Sequence, residues 1–396
     1  MDLSAGMVEP STPVDRIPPS RFRPPFCPNP RCRHHRLRPG QTFPYWREGF
    51  YRRRCDGRRV PRFLCRACRV GFSARTFSVT YRMRKPYLLL PVARWMTSGA
   101  ALRPIGRAWN DEHPDRACHP STLPRIARRI GAQAILILEE LHRLAPDLAE
   151  PVVLDHFESF VGLQENGLAL ATPIGQQTGW VYGGRPAWHR QATRDSKREP
   201  RVATRPREVE RSVREVLDVL FAKVPRNACL HVVSDGEPRY GRAIRRHPRG
   251  RDVLHEVHVN PHARLEGEPR DESTRERDRA LRPNDNYHTL VRHLAADHRR
   301  ETIAFCRRGE ALVERAAALM VWHNLSKPVS IRKDDRQTPG MLRGVTSRPW
   351  RWAEILSRRR FVSRIPVDRT MSQVLERRMP DPRGIVGPDR VRMRSV

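Results

Sequence analysis

The chain is predicted to be an α/β protein with a mixed sheet, preceded by a small cysteine-bound module and a helical module. Three features predict this. A β-branched and aromatic run, Pro151 to Gly162, and a second apolar run, Ala228 to Gly236, each carry an aspartate, Asp155 and Asp235. Between them, Leu168 to Ile174 and Thr178 to Tyr182 read as shorter strands. They are followed by a helix over Glu208 to Ala222, where Val209, Val213, Val216, Leu217 and Leu220 recur at helical spacing. Near the N-terminus, two close cysteine pairs are separated by a basic, aromatic stretch.

A chain of 396 residues suggests two or three domains with modest cores, since 38% of it is hydrophobic. Lys and Arg total 76 against 43 Asp and Glu, a net charge of +33. An excess spread over the whole length favours a polyanion, because each neutralised phosphate releases counterions. Nucleic acid is the expected partner. No run approaches the roughly 18 apolar residues of a membrane helix, and Met1 to Pro13 lacks the basic start and apolar centre of a signal peptide. The expected location is therefore the cytoplasm, at the nucleoid, with no membrane partner. Cys55, Cys118, Cys229 and Cys306 are scattered singly, which argues against a disulfide framework.

Residues 1–20 are Pro-rich and polar, and are expected to form a disordered lead-in. Residues 21–85 contain Cys27 and Cys32, then Tyr45, Trp46, Phe50 and Tyr51 among arginines, then Cys65 and Cys68. Two cysteine pairs joined by a hairpin supply four thiolates in a tetrahedron, which suits one structural Zn2+ and predicts a zinc ribbon. Its arginines and aromatics either hold a DNA backbone and stack on bases or form a solvated face. Residues 86–147 read as three helices, over Tyr87 to Met96, Ala100 to Trp109, and from Pro120 or Ser121 onward, where Pro124 fits a first turn. Arg125, Arg128 and Arg129 share one face of the third helix while Ile126 and Ile130 occupy another. That pattern fits a helix-turn-helix that offers guanidinium groups to DNA, or a basic helical connector. Ala134 to Leu144 continues as a linker helix.

Residues 148–330 form the acid-bearing domain. Three strands, a helix and a fourth strand follow the order of a ribonuclease-H-like domain. Asp155 lies in the middle of an apolar run, where a carboxylate is costly unless paired or metal-bound. Charged stretches at 183–206 and 261–283 are expected as surface insertions. Glu310 to Leu325 reads as a closing helix in which His323 sits at the core edge. Residues 331–396 read as a loose, basic C-terminal extension with one helical piece from Trp350 to Arg358.

Taken in order, the cysteine ribbon, the helix-turn-helix, Asp155-His156-Phe157-Glu158-Ser159-Phe160-Val161-Gly162, and Ser234-Asp235-Gly236 resemble bacterial insertion-sequence transposases of the DDE class, especially the insertion-sequence-one-like group. The block Leu290-Val291-Arg292-His293-Leu294 and His298 to Phe305 is similar to that group's segment after its third acid. The resemblance covers roughly residues 25 to 345. It implies a ribonuclease-H-like domain that cuts and joins DNA with Mg2+ or Mn2+ held by three acids. Alignment to the later block puts the third acid at Asp285, with Glu301 and Asp297 as alternatives. The group usually has glutamate there, so Asp285 departs from its pattern. Arg292, His298 and Arg300 become candidate DNA contacts. The implied function is a transposase acting on double-stranded DNA as a dimer or larger assembly. A catalytically inactive DNA-binding regulator and a hydrolytic nuclease on the same fold are the alternatives.

Overall fold

The computed structural model describes residues 7–9, 11–190, 206–259, 271–300, 302–330 and 336–381. The N-terminal module is an antiparallel sheet of β1 (Tyr45–Arg52), β2 (Arg59–Cys65) and β3 (Gly71–Ser73), in that order. Its core joins Phe22, Val60, Phe63, Ala74 and Phe77. The lead-in is ordered where it is described, contrary to expectation. Val14 and Ile17 pack on this core, and Asp15 accepts hydrogen bonds from Ser78 at 3.0 Å and Thr80 at 2.8 Å. Apolar residues three apart and one well-placed acceptor suffice to dock a polar, Pro-rich segment.

The helical module comprises α1 (Leu89–Trp95), α2 (Leu102–Glu112) and α3 (Thr122–Leu144). The third expected helix and the expected linker are one unbroken helix. Leu123, Ile126, Ile130, Ala134, Ile137 and Leu141 form its buried stripe. It packs on α7 (Gly309–Leu325), and Gly131 marks the closest approach, where an added Cβ would stand 2.4 Å from the Glu314 carbonyl oxygen. Backbone sits opposite that position and cannot move aside as a side chain tip can. Gly131→Ala is therefore expected to destabilise the fold by about 2–3 kcal/mol, at the upper end of overpacking costs, as measured by chemical denaturation. Unchanged stability would mean that the helices do not meet this closely.

The larger sheet has the order β6-β5-β4-β7-β8. Its strands are β4 (Val152–Val161), β5 (Leu163–Gly175), β6 (Arg185–Arg190), β7 (Leu230–Ser234) and β8 (Val253–Val257). β5 runs antiparallel to β4 and to β6, whereas β7 is parallel to β4 and to β8. Helix α4 (Pro206–Phe221) precedes β7, α5 (Pro238–Arg245) lies between β7 and β8, and α6 (Glu272–Leu294) follows. The domain is thus mixed α/β with a mixed sheet. Side chains alternate along β4. Val153 packs with Val233, Ala280 and Leu281 beneath α6, while Val152 and Leu154 join the main core on the other face.

Several sequence expectations need correction. Thr178 to Tyr182 is not a strand but a turn region with a single bridge from Val181 to Ile174. Glu150 organises that turn by accepting from the Gln177 and Thr178 amides, both at 2.9 Å. The third strand falls instead at Arg185–Arg190, inside the stretch expected as the insertion 183–206, and residues 191–205 lie outside the described part. Two arginines and a proline disguise this strand. Pro186 is tolerated because β6 is an edge strand, and Arg185 is buried through ion pairs to Glu139 at 2.8 Å and Asp368 at 2.6 Å. The second expected insertion, 261–283, contains the first half of α6 from Glu272, with 260–270 outside the described part.

The C-terminal extension is packed from 336 to 381. It contains α8 (Pro339–Leu342), α9 (Trp352–Ile355) and α10 (Arg369–Leu375), and it buries Trp350, Trp352, Ile355, Met371 and Val374 in the main core. Beyond α9 the chain reaches the ribbon. Phe361 packs edge-on against Phe26 at 5.2 Å, and the Arg364 guanidinium lies 3.7 Å from the Phe26 ring centre. The expected looseness fails here because tryptophans and a phenylalanine among the arginines supply apolar anchors. The helical piece anticipated over Trp350 to Arg358 shrinks to α9.

Candidate active site and metal centre

Two places gather chemistry. At the first, Cys27, Cys32, Cys65 and Cys68 place their sulfurs within 4.8 Å of one another, and among the described residues this is the one such group of potential ligands. The Cys27–Cys68 and Cys32–Cys65 sulfur separations are 3.5 and 3.8 Å. Four sulfurs about 2.3 Å from a central zinc in a tetrahedron would be about 3.8 Å apart, so the set fits that ion. Burial pushes the Cys27 and Cys32 thiols up. Burial also acts upward on Cys68, but the Val70 N–H and Asn29 outweigh it and bring that thiol down to about 7. The His34 N–H donates to Cys32 Sγ at 3.4 Å.

The second place lies in the middle of the larger sheet. Asp155 is on β4, paired in register with Thr172 of β5, and Asp235 follows β7, the parallel neighbour of β4. Asp155 Oδ2 lies 3.4 Å from His288 Nδ1, and its Oδ1 accepts from the His156 N–H at 2.6 Å and faces the Tyr240 hydroxyl at 3.3 Å. Burial works to raise the Asp155 carboxyl, but His288 and His156 outweigh it and hold it below the usual carboxylate range. Asp235 moves the other way, pushed up by burial first and then by the charge of Asp155. A half-buried Asp235 pushed up by the charge of Asp155 is an arrangement that a cation relieves.

The surrounding hydrogen bonds fix this geometry. Ser212 donates to the Val209 carbonyl at 2.8 Å, so its oxygen accepts from His156 Nε2 at 2.9 Å. His156, brought down to about 4 by burial, is neutral at pH 7, and its Nδ1 is left to accept from the Tyr240 hydroxyl at 2.8 Å. On the α6 side, His288 Nε2 lies 2.7 Å from the Thr172 hydroxyl, and Asn284 donates to the Thr172 carbonyl at 2.9 Å.

The other expected site residues fall in different surroundings. Asp285 is on α6, half exposed and paired with Arg277 at 3.1 Å. The charge of Arg277 also acts on Asp235, pulling its carboxyl down against burial and Asp155. Glu301 lies outside the described residues. Asp297 is buried and paired with Arg315 at 2.8 Å. Burial would raise its carboxyl, but Arg315 and His298 hold it at about 2, which makes it an internal ion pair. His298 is fully buried with its ring against Phe157, so it is not a surface group. Arg292 lies over Phe157 at 4.8 Å, half-buried, whereas Arg300 is exposed.

The arginines of α3 do not share one environment. Arg125 is exposed, Arg128 approaches the buried Glu314 at 4.0 Å, and Arg129 donates to the Val79 and Tyr81 carbonyls at 3.0 and 2.7 Å. Arg129→Ala is thus expected to cost about 2 kcal/mol of stability through two lost charged hydrogen bonds. Arg125→Ala should leave stability within about 0.5 kcal/mol and lower the salt slope of DNA binding by about one. Denaturation and salt-dependent binding curves separate the two. A larger affinity loss at Arg129 with unchanged stability would reverse this assignment.

Sequence reasoning missed His288, Tyr240 and the supporting role of His156. Asn284 and His288 are four residues apart on α6, and that spacing is the available signal for a shared face. Tyr240 carried none, because it reaches the site only through the packing of α5. No family model matches this chain, and no curated protein matches it at a significant level. Among the described residues, no helix is long and apolar enough to cross a membrane.

Proposed function

We propose that the chain is a DNA transposase that binds the ends of its own element through the ribbon and helical module and cuts and joins strands at Asp155 and Asp235. The observation that carries this reading is the sheet order β6-β5-β4-β7-β8, with one aspartate on the central strand and the other at the end of its parallel neighbour. A ribonuclease-H-like sheet would have this order and these strand directions, which supports the reading. The net charge of +33 supports a polyanionic substrate. The four-cysteine set would hold one Zn2+ as a structural ion.

Asp155 and Asp235 would hold Mg2+ or Mn2+, and Asp285 is the third candidate ligand. Mg2+ retains water and substrate phosphates, so few protein oxygens suffice. When bound, the metal supplies a more acidic nucleophile and charge stabilisation on the leaving oxygen. The chain's own groups do the positioning. The His156 amide and His288 keep the Asp155 carboxylate aimed, and α6 carries both Asp285 and Arg277. Arg292 and Arg300 are candidates for holding phosphates nearby. Two bound DNA ends imply a dimer or larger assembly, and this chemistry belongs at the nucleoid in the cytoplasm.

A second reading, a regulator derived from a transposase and no longer catalytic, is favoured by one observation. Arg277 is a resident cation paired with Asp285 and also acts on Asp235, so these acids already have a counter-charge. The test is incubation of the purified protein with labelled duplex carrying the sequences that flank its gene, with Mg2+, Mn2+ or chelator. Cut and joined strands with metal support the transposase. Cutting without joining points to a nuclease, and binding with neither points to the regulator.

A further inference from the structure

We infer that the outer side of the ribbon, centred on Trp46, stacks the bases of an unpaired DNA strand. The inference rests on reading the chain as a DNA-binding protein and names the form of DNA that this module takes. Phe22, Phe63 and Phe77 of the ribbon are buried, yet Trp46 on edge strand β1 is 37% exposed. The guanidinium carbons of Arg66 and Arg69 lie 5.2 and 4.3 Å from its ring centre. Both arginines belong to the loop that carries Cys65 and Cys68, so the cysteine centre fixes where they stand. Arg69 holds φ at +59°, a left-handed conformation that favours glycine. A bulky cation is therefore kept at a position where the backbone alone would prefer no side chain.

A similar pair recurs further along β1, where Phe50 is 38% exposed with Arg59 4.6 Å from its ring centre. Arg52, Arg59, Arg62, Arg66 and Arg69 are exposed on this small sheet and its loop, with Glu48 as the acid of β1. A guanidinium that lies over a ring keeps its in-plane N–H groups free for phosphates, while the aromatic surface beside it accepts a base. Duplex bases are already stacked on one another and offer no face to Trp46, so a duplex would meet only the arginines. Unpaired bases meet both, and base–aromatic stacking tolerates any sequence because every base has a π-face.

The test measures binding of the full-length, zinc-loaded protein to a labelled single-stranded oligonucleotide and to a duplex of equal length, by fluorescence anisotropy. Trp46→Ala is expected to weaken single-strand binding about tenfold and duplex binding less than twofold, and Trp46→Phe is expected to restore most of the loss. Arg69→Gly relieves the backbone and should weaken both substrates with a smaller salt dependence. Zinc content and circular dichroism of each variant report whether the ribbon is folded. A Trp46→Ala protein with intact zinc that binds single strands as well as wild type, or loses both substrates equally, overturns the stacking platform and leaves duplex recognition standing. Wild-type protein that binds neither DNA overturns both.

Discussion

Replacing Asp155 by asparagine is expected to reduce DNA strand cleavage by at least about a thousandfold, and Asp235→Asn should do the same. A metal-held transition state draws several kcal/mol from its carboxylate ligands, and each 1.36 kcal/mol is about a factor of ten in rate. Asparagine keeps the shape, so the His156 N–H contact to Oδ1 of residue 155 survives while the charge that holds a cation is lost. Binding of duplex DNA by the N-terminal modules should change little, because both acids belong to the larger sheet and not to those modules. A gel-shift titration run beside the cleavage assay measures this separation. Asp285→Asn and Glu301→Gln belong in the same series. Loss of activity at Glu301 with retention at Asp285 would move the third acid and leave the mechanism in place. Full activity of Asp155→Asn would remove the acid site.

The second large effect concerns the cysteine centre. Metal analysis of the wild-type protein should return about one zinc per chain, and Cys65→Ser with Cys68→Ser should return none. Losing the ion removes the link between the Cys27–Cys32 segment and the second cysteine pair. The ribbon core around Phe63 and Phe72 then loses its anchor, since metal binding and folding are coupled in so small a sheet. Cys55 is exposed outside the cluster, so Cys55→Ser should leave zinc content unchanged. Equal zinc content in all three proteins would show that the four thiols do not hold the ion.

The apolar runs and the cysteine spacing were legible because each uses a strong local signal. β4 and β7 are mostly apolar, built on valine, leucine and phenylalanine, and α4 shows a helical stripe. The four cysteines announce a shared centre before any coordinate is known. What the sequence hid was produced by tertiary compensation. Arg185 is invisible as a strand residue until Glu139 and Asp368 are seen beside it. Arg129 reads as a surface cation until the Val79 and Tyr81 carbonyls are placed over it. The C-terminal extension reads as loose because arginines and prolines dominate it, although Trp350, Trp352 and Phe361 anchor it. His288 and Tyr240 reach Asp155 from α6 and α5, elements remote in sequence, so no window of residues around Asp155 contains them.

Electron paramagnetic resonance of Mn2+ titrated into the full-length protein tests the central claim most directly, because it counts bound metal without requiring the element's own DNA. Zinc should first be saturated so that the cysteine centre does not contribute. Wild-type protein should bind Mn2+ at a site that Mg2+ displaces, and this binding should disappear in the Asp155→Asn, Asp235→Asn double variant while zinc content stays at about one per chain. Identical Mn2+ binding by wild type and double variant, or none by wild type even when duplex DNA is added, would contradict the assignment of Asp155 and Asp235 as the metal-holding pair.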